Sequence, residues 1–174
     1  AVLTFPANTG KEDVVYGIQY SLDGAVFEGE LSVTVAVNRY DPDDDSRDIP
    51  LNVLEVSCGD YQPGQATEGP ANLAVDDDPN TLWHTDWYGT SRENHWFQFE
   101  LTEDYQVDGL RYWPRQTGNS NGTITKYEIQ VSDDGESFRT VKSGSWENDR
   151  SWKIASFTGE NVKYVRLVAV DAVT

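Results

Sequence analysis

Short runs rich in Val, Ile, Tyr, Phe and Trp recur along the chain with turn residues between them, at 14–20, 31–37, 51–56, 96–101, 106–113, 126–132, 138–142, 152–157 and 162–170. Branched and aromatic side chains suit a pleated, half-buried surface, so this pattern predicts an all-β chain. Ser132-Asp-Asp-Gly-Glu136 reads as a hairpin turn, because Asp-Gly supplies the positive φ that a tight antiparallel connection needs. Helical periodicity is confined to about two turns near 70–75. The expected architecture is an antiparallel β-sandwich with an N-terminal, strand-containing extension.

The run Asp41-Pro-Asp-Asp-Asp-Ser-Arg-Asp-Ile-Pro50 breaks the pattern, since dense like charge and two prolines cannot pair as a central strand. It is expected to be a boundary or exposed loop, dividing the chain into an extension or end of a preceding β module at 1–50 and a main module at 51–174. A chain of 174 residues is long enough for one sandwich with a core but hardly for two complete domains. The opening residues carry no charged region followed by an apolar one. The expectation is therefore a fragment of a larger multimodular protein, or a chain whose leader has been removed.

Composition narrows the partners. Thirteen Lys plus Arg against 30 Asp plus Glu give a net charge of −17, which repels phosphate backbones and anionic lipid headgroups. Nucleic acid is excluded on this ground and a membrane surface is disfavoured. No apolar run approaches the roughly 18 residues of a membrane-spanning helix. Cys58 is the only cysteine, so neither an intrachain disulfide nor a cysteine-rich zinc site is available.

Asp76, Asp78, Asn80 and Thr81 gather carboxylate, amide, hydroxyl and carbonyl oxygens within six residues of a Pro-containing turn, as a hard cation such as Ca²⁺ requires. The residues alone suit a metal-free Asx-turn equally well. An EF-hand reading fails, because Thr81 stands where Gly is needed and Trp87 where Glu is needed; Asp41, Asp43 and Asp45 fail similarly. His84, beside Trp83, is expected on the face opposite that indole, where a neutral imidazole donates at one nitrogen and accepts at the other. Arg115 follows Pro114 on a stiff turn, and its planar fork suits two adjacent hydroxyls, with a surface ion pair as the competing role. Asn121 opens an Asn-Gly turn whose amide could meet a hydroxyl or simply serve the turn. Trp87 and Tyr88, just beyond His84, are the first candidates for exposed rings on which a sugar face stacks.

Residues about 56–170 resemble the discoidin superfamily, the coagulation factor V/VIII C-type domains, and within it the family 32 carbohydrate-binding modules. The resemblance lies in Ala74-Val-Asp-Asp-Asp-Pro-Asn-Thr-Leu-Trp-His-Thr85, Asn94-His-Trp-Phe-Gln-Phe-Glu-Leu101, Gly109-Leu-Arg-Tyr-Trp-Pro-Arg-Gln116, Asn121-Gly-Thr-Ile-Thr-Lys-Tyr-Glu-Ile-Gln-Val-Ser132 and Val162-Lys-Tyr-Val-Arg-Leu-Val168. It implies an eight-stranded jelly roll with a structural Ca²⁺ and a shallow site at the loop end. It also implies sugar hydrogen bonds from His84, Arg115 and Asn121, with help from Glu68, and calcium ligands at the Leu73 carbonyl, Asp76, Asp78 and Thr81. Members usually continue into a loop with a stacking aromatic and a strand whose Glu completes the calcium shell, and both are expected to be missing before Thr174.

The function so implied is a noncatalytic module that binds galactose or N-acetylgalactosamine-type residues and tethers a secreted or cell-surface bacterial glycoside hydrolase or mucin-degrading enzyme to its substrate. The alternatives are an adhesion module for a protein or lipid partner, or part of a glycosidase assembly. The second needs two facing carboxylates roughly 5 to 10 Å apart, and the sequence nominates no pair.

Overall fold

The computed structural model describes residues 14–20, 29–35, 48–50, 54–88 and 92–174. The acidic run at 41–47, and the ends of two expected strands at 36–37 and 51–53, lie outside the described residues. The chain divides into two compact units, Ala1–Asp44 and Asp45–Thr174. In the first, β1 (Val14–Tyr20) and β2 (Gly29–Val35) pair antiparallel over their whole length, from Val14 opposite Val35 to Tyr20 opposite Gly29.

The second unit is built on β3 (Leu54–Cys58), β4 (Glu68–Gly69), β5 (Leu82–Trp83), β6 (Trp96–Tyr112), β7 (Ile124–Ser132), β8 (Arg139–Ser145) and β9 (Lys153–Ala172). Five of these form one sheet in the order β3-β6-β9-β7-β8, antiparallel throughout. The all-β jelly-roll expectation therefore holds. Among the described residues its helical component is a short 3₁₀ turn at Ala71–Ala74, within the helical stretch expected near 70–75, and a second at Arg92–Asn94.

One difference from the sequence pattern is instructive. Runs 96–101 and 106–113 read as two strands, as do 152–157 and 162–170, yet each pair is one continuous strand of 17 and 20 residues. The polar stretches that look like turns are instead absorbed where the β6–β9 register shifts, between Glu100 and Tyr105 and between Val107 and Gly109. Such irregularities bend a strand without ending it. Leu101 and Val107 from the two halves of β6 then share one buried cluster with Ala155, Val162, Val165, Leu167 and Ala169 of β9 and Ile129 and Val131 of β7. Both halves of a long strand can enter one core only if the sheet curls over itself, which is the sandwich.

The expected hairpin turn lies between β7 and β8. Gly135 has φ +76°, and Asp134 Oδ1 accepts the N–H groups of Glu136 and Ser137 at 2.8 and 2.7 Å and the Ser132 hydroxyl at 2.8 Å. These bonds favour the ionised carboxylate and hold its pKa down at about 2, led by the Ser137 and Glu136 amides. Among the described residues no helix is long and apolar enough to cross a membrane.

Candidate functional site

At one end of the second unit β4, the loops after β5 and β6 and the end of β9 line a cleft of about 540 Å³. Its first wall rises from the parallel pairing of β4 and β5, which sets Glu68 opposite Leu82 and Gly69 opposite Trp83. The His84 amide continues the pairing by donating to the Gly69 carbonyl at 3.1 Å. Gly69 is required here: at φ +155° a Cβ would stand 2.7 Å from the Gln62 carbonyl oxygen. Trp83 fixes the strand from below, donating its indole N–H to the Asp60 carbonyl at 3.0 Å and meeting Phe97 edge-on at 5.4 Å.

His84 is half-buried, and its Nδ1 lies 2.8 Å from the Thr85 carbonyl oxygen. A carbonyl only accepts, so Nδ1 carries the proton and Nε2 is left with a lone pair. Nε2 faces Gly122, at φ +85°, where an added Cβ would come within 3.1 Å of it. That glycine follows Asn121 in a turn closed by the Thr123 amide donating to the Ser120 carbonyl at 3.0 Å. The opposite wall thus comes as close to the imidazole as a glycine allows, and Nε2 has no hydrogen-bond partner among the described residues.

The second wall carries Arg115, Asn119 and Asn121. Pro114 is fully buried and anchors the turn, so Arg115 leaves the end of β6 in a fixed direction. Its Nη2 donates to Glu68 Oε2 at 2.6 Å across the cleft, while Nε is buried without a hydrogen-bond partner. An orphaned buried donor is costly. Beneath, the Tyr112 hydroxyl has its pKa pushed up to about 12, chiefly by burial, so it stays protonated. Arg150 donates to the Gln116 carbonyl and, at 2.7 Å, to the Gly118 carbonyl, bracing the loop from outside.

The structure therefore brings Glu68, His84, Trp87, Arg115 and Asn121 to one cleft, from sites as far apart in sequence as 68 and 121. Trp87 is 48% exposed and stands edge-on to His84 at 6.1 Å. Tyr88, at 87% exposure, lies outside the lining. Sequence reasoning passed over Asp86, His95, Asn119 and Asp171, which also line the cleft. It also missed Gln62, a buried residue whose side-chain Oε1 accepts the Trp87 amide at 2.9 Å while its backbone N–H donates to the His84 carbonyl at 2.8 Å. No local pattern marks a buried glutamine in a loop, so nothing in the sequence pointed to it.

Next to the first wall, oxygens converge on Thr81. Its hydroxyl oxygen lies 3.1 Å from the Leu73 carbonyl, 2.8 and 2.9 Å from the two Asp76 carboxylate oxygens and 2.9 Å from the Asp78 carbonyl. A hydroxyl has one proton, so at most one of these four contacts is a hydrogen bond and the others set lone pair against lone pair. A hard cation relieves that crowding, and carbonyl, carboxylate and hydroxyl oxygens are the donors it prefers. The Asp78 carboxylate turns away to accept from the Asn80 amide and side chain at 2.9 and 2.8 Å, bonds that lower its pKa. Its backbone oxygen is what faces the cluster. Asp77, between the two, takes the left-handed conformation at φ +63° that this reversal needs. Among the described residues no three His, Cys, Asp or Glu side chains gather as a metal site; this donor set has a single carboxylate.

Fold and cleft together define a β-sandwich module with a shallow, hydrogen-bonding site at its loop end. Residues 55–174 match the F5/8 type C domain, and the chain belongs to that family. It is 36% identical over 126 residues to a galactose oxidase of Gibberella zeae, covering 70% of this chain and 18% of that protein. It is 30% identical over 124 residues to a sialidase of Micromonospora viridifaciens, covering 70% of this chain and 19% of that one. The chain thus spans under a fifth of the length of these relatives. Among solved structures, the Clostridium perfringens module CpGH89CBM32-5, in complex with GalNAc-β-1,3-galactose, superposes with TM-score 0.66 at 33% identity, covering 71% of this chain and 88% of that one. The family 32 module of C. perfringens NanJ, in complex with galactose, superposes with TM-score 0.62 at 28% identity, covering 72% and 88%.

Proposed function

We propose that this chain is a noncatalytic carbohydrate-binding module that takes one galactose or N-acetylgalactosamine-type residue into the cleft between Glu68, His84 and Arg115. The observation that carries this reading is the convergence of an open acceptor, His84 Nε2, with a buried and unpaired donor, Arg115 Nε, in one cleft. Together they call for a partner that donates at one atom and accepts at a neighbouring one, and vicinal sugar hydroxyls do so. Asn121 adds an amide with both capacities, and Trp87 offers a half-exposed apolar ring. The sugar-bound state of two similar modules supports the ligand class.

Ca²⁺ is the cation of the Thr81 cluster in this reading, held by the Leu73 and Asp78 carbonyls, Asp76 and Thr81. When bound it supplies rigidity to the turn that leads into His84, and no chemistry. The curated relatives are several times longer, which supports a module that keeps a larger carbohydrate-active protein on its substrate, and the bacterial source of the two sugar-bound modules supports an extracellular, bacterial setting. A few solvent-competed hydrogen bonds and one ring contact imply a dissociation constant on the order of 0.1 to 1 mM. A glycan array probed in calcium-containing buffer tests the reading. Retention on galactose- and N-acetylgalactosamine-terminated glycans, lost in Arg115→Ala, is expected, and a wild-type chain retained on none of them overturns it.

A further inference from the structure

Resting on that reading of the cleft, we infer that the site selects uncharged glycan ends and rejects acidic ones such as uronic acids and sulfated sugars. Among the described residues, four lining side chains carry permanent charge: Glu68, Asp86 and Asp171 are acidic, and Arg115 is the one cation. Arg115 is not free to greet an anion, because its Nη2 is already 2.6 Å from Glu68 Oε2. An incoming carboxylate or sulfate that reached the guanidinium would either displace Glu68 or settle against it, and two such anions in contact range repel strongly. The guanidinium N–H donors that this ion pair leaves over suit a neutral hydroxyl oxygen without any exchange of partners.

Asp86 and Asp171 reinforce the effect from two further loops. Both are half-buried, where solvent screens less, and both are fixed in place. Asp86 Oδ1 accepts the Tyr88 amide at 2.9 Å, and Asp171 Oδ1 accepts the Ala172 amide at 3.2 Å. The net charge of −17 over the whole chain adds a long-range field of the same sign. A hydroxyl-reading site need not be acidic; here three carboxylates make charge a criterion alongside shape. A glycan capped by an acidic sugar or a sulfate ester would then become a ligand only after a hydrolytic step had removed the cap.

Titrating the chain with three methyl glycosides separates charge from shape: galactoside, galacturonic acid and galacturonamide, the last matching the acid in shape while carrying no charge. The amide is expected to bind within a few-fold of the galactoside, and the acid at least about tenfold more weakly than the amide at low ionic strength. The gap should narrow at high salt and in Asp86→Asn/Asp171→Asn, which keeps both acceptor oxygens; the ratio of the two affinities is the readout. Equal binding of acid and amide overturns the inference, as does a gap that neither salt nor the double variant changes. If the galactoside itself gives no saturable binding, the reading of the cleft as a sugar site falls, and this inference with it.

Discussion

The two walls of the cleft are held in place by different physics. The 68–87 wall is made of two-residue strands and a turn in which four oxygens crowd one hydroxyl, so in the proposed reading its geometry depends on a cation as well as on a buried glutamine. The 113–123 wall is an extension of the long strand β6, pinned by buried Pro114, by Arg150 and by an ordinary turn, with every brace supplied by the protein. On that reading the proposed ligand meets one wall that is conditionally formed and one that is permanent.

The strongest way to break this arrangement is at the permanent wall. Arg115→Ala removes the donor and leaves Glu68 without its partner, and titration with galactose should show affinity weakened by about thirtyfold or more, the equivalent of at least about 2 kcal/mol. Chelation sharpens the contrast. With calcium at about a hundred times its dissociation constant, its removal costs about 2.7 kcal/mol, lowering the melting temperature by several degrees. Hydrogen exchange should then rise at 71–87 but not at 113–123. Gln62→Leu keeps the volume but orphans the Trp87 amide, and is expected to cost about 1 to 3 kcal/mol of stability in thermal melts and to weaken sugar binding even with calcium present.

The smallest expected effect is a control outside both walls. The Asp134 carboxylate has its pKa depressed to about 2 by the amides of Ser137 and Glu136. Its contribution is therefore present above the ordinary Asp value and is lost as the pH falls through about 2. Asp134→Asn should flatten the acid limb of the stability profile in denaturant titrations, without changing sugar affinity at neutral pH.

How much of this was legible in the sequence differed between core and cleft. The strands were, because burial of one face imposes a period on side chains: Ile124–Ser132 and Arg139–Ser145 stand close to where their alternation put them. Continuity was not, since Thr102-Glu-Asp looks like a turn and a register shift has no compositional signature. In the cleft, His84, Arg115 and Asn121 were visible through the family resemblance. Their convergence depends on Gly69 and Gly122, whose role is to leave space beside a neighbour that only coordinates reveal. Gln62, Asp86 and Asp171 were illegible for a related reason: a polar residue in a loop gives no sign of which surface it will meet.

The most direct test of the account is where a sugar perturbs the amide and side-chain resonances of the calcium-loaded chain. Titration with galactose should give saturable shifts concentrated at His84, Trp87, the Arg115 Nε–H, the Asn121 side-chain amide and Gly122, with β8 silent. Shifts centred on another surface, such as the hairpin turn between β7 and β8, with the Arg115 Nε–H unmoved, would contradict it.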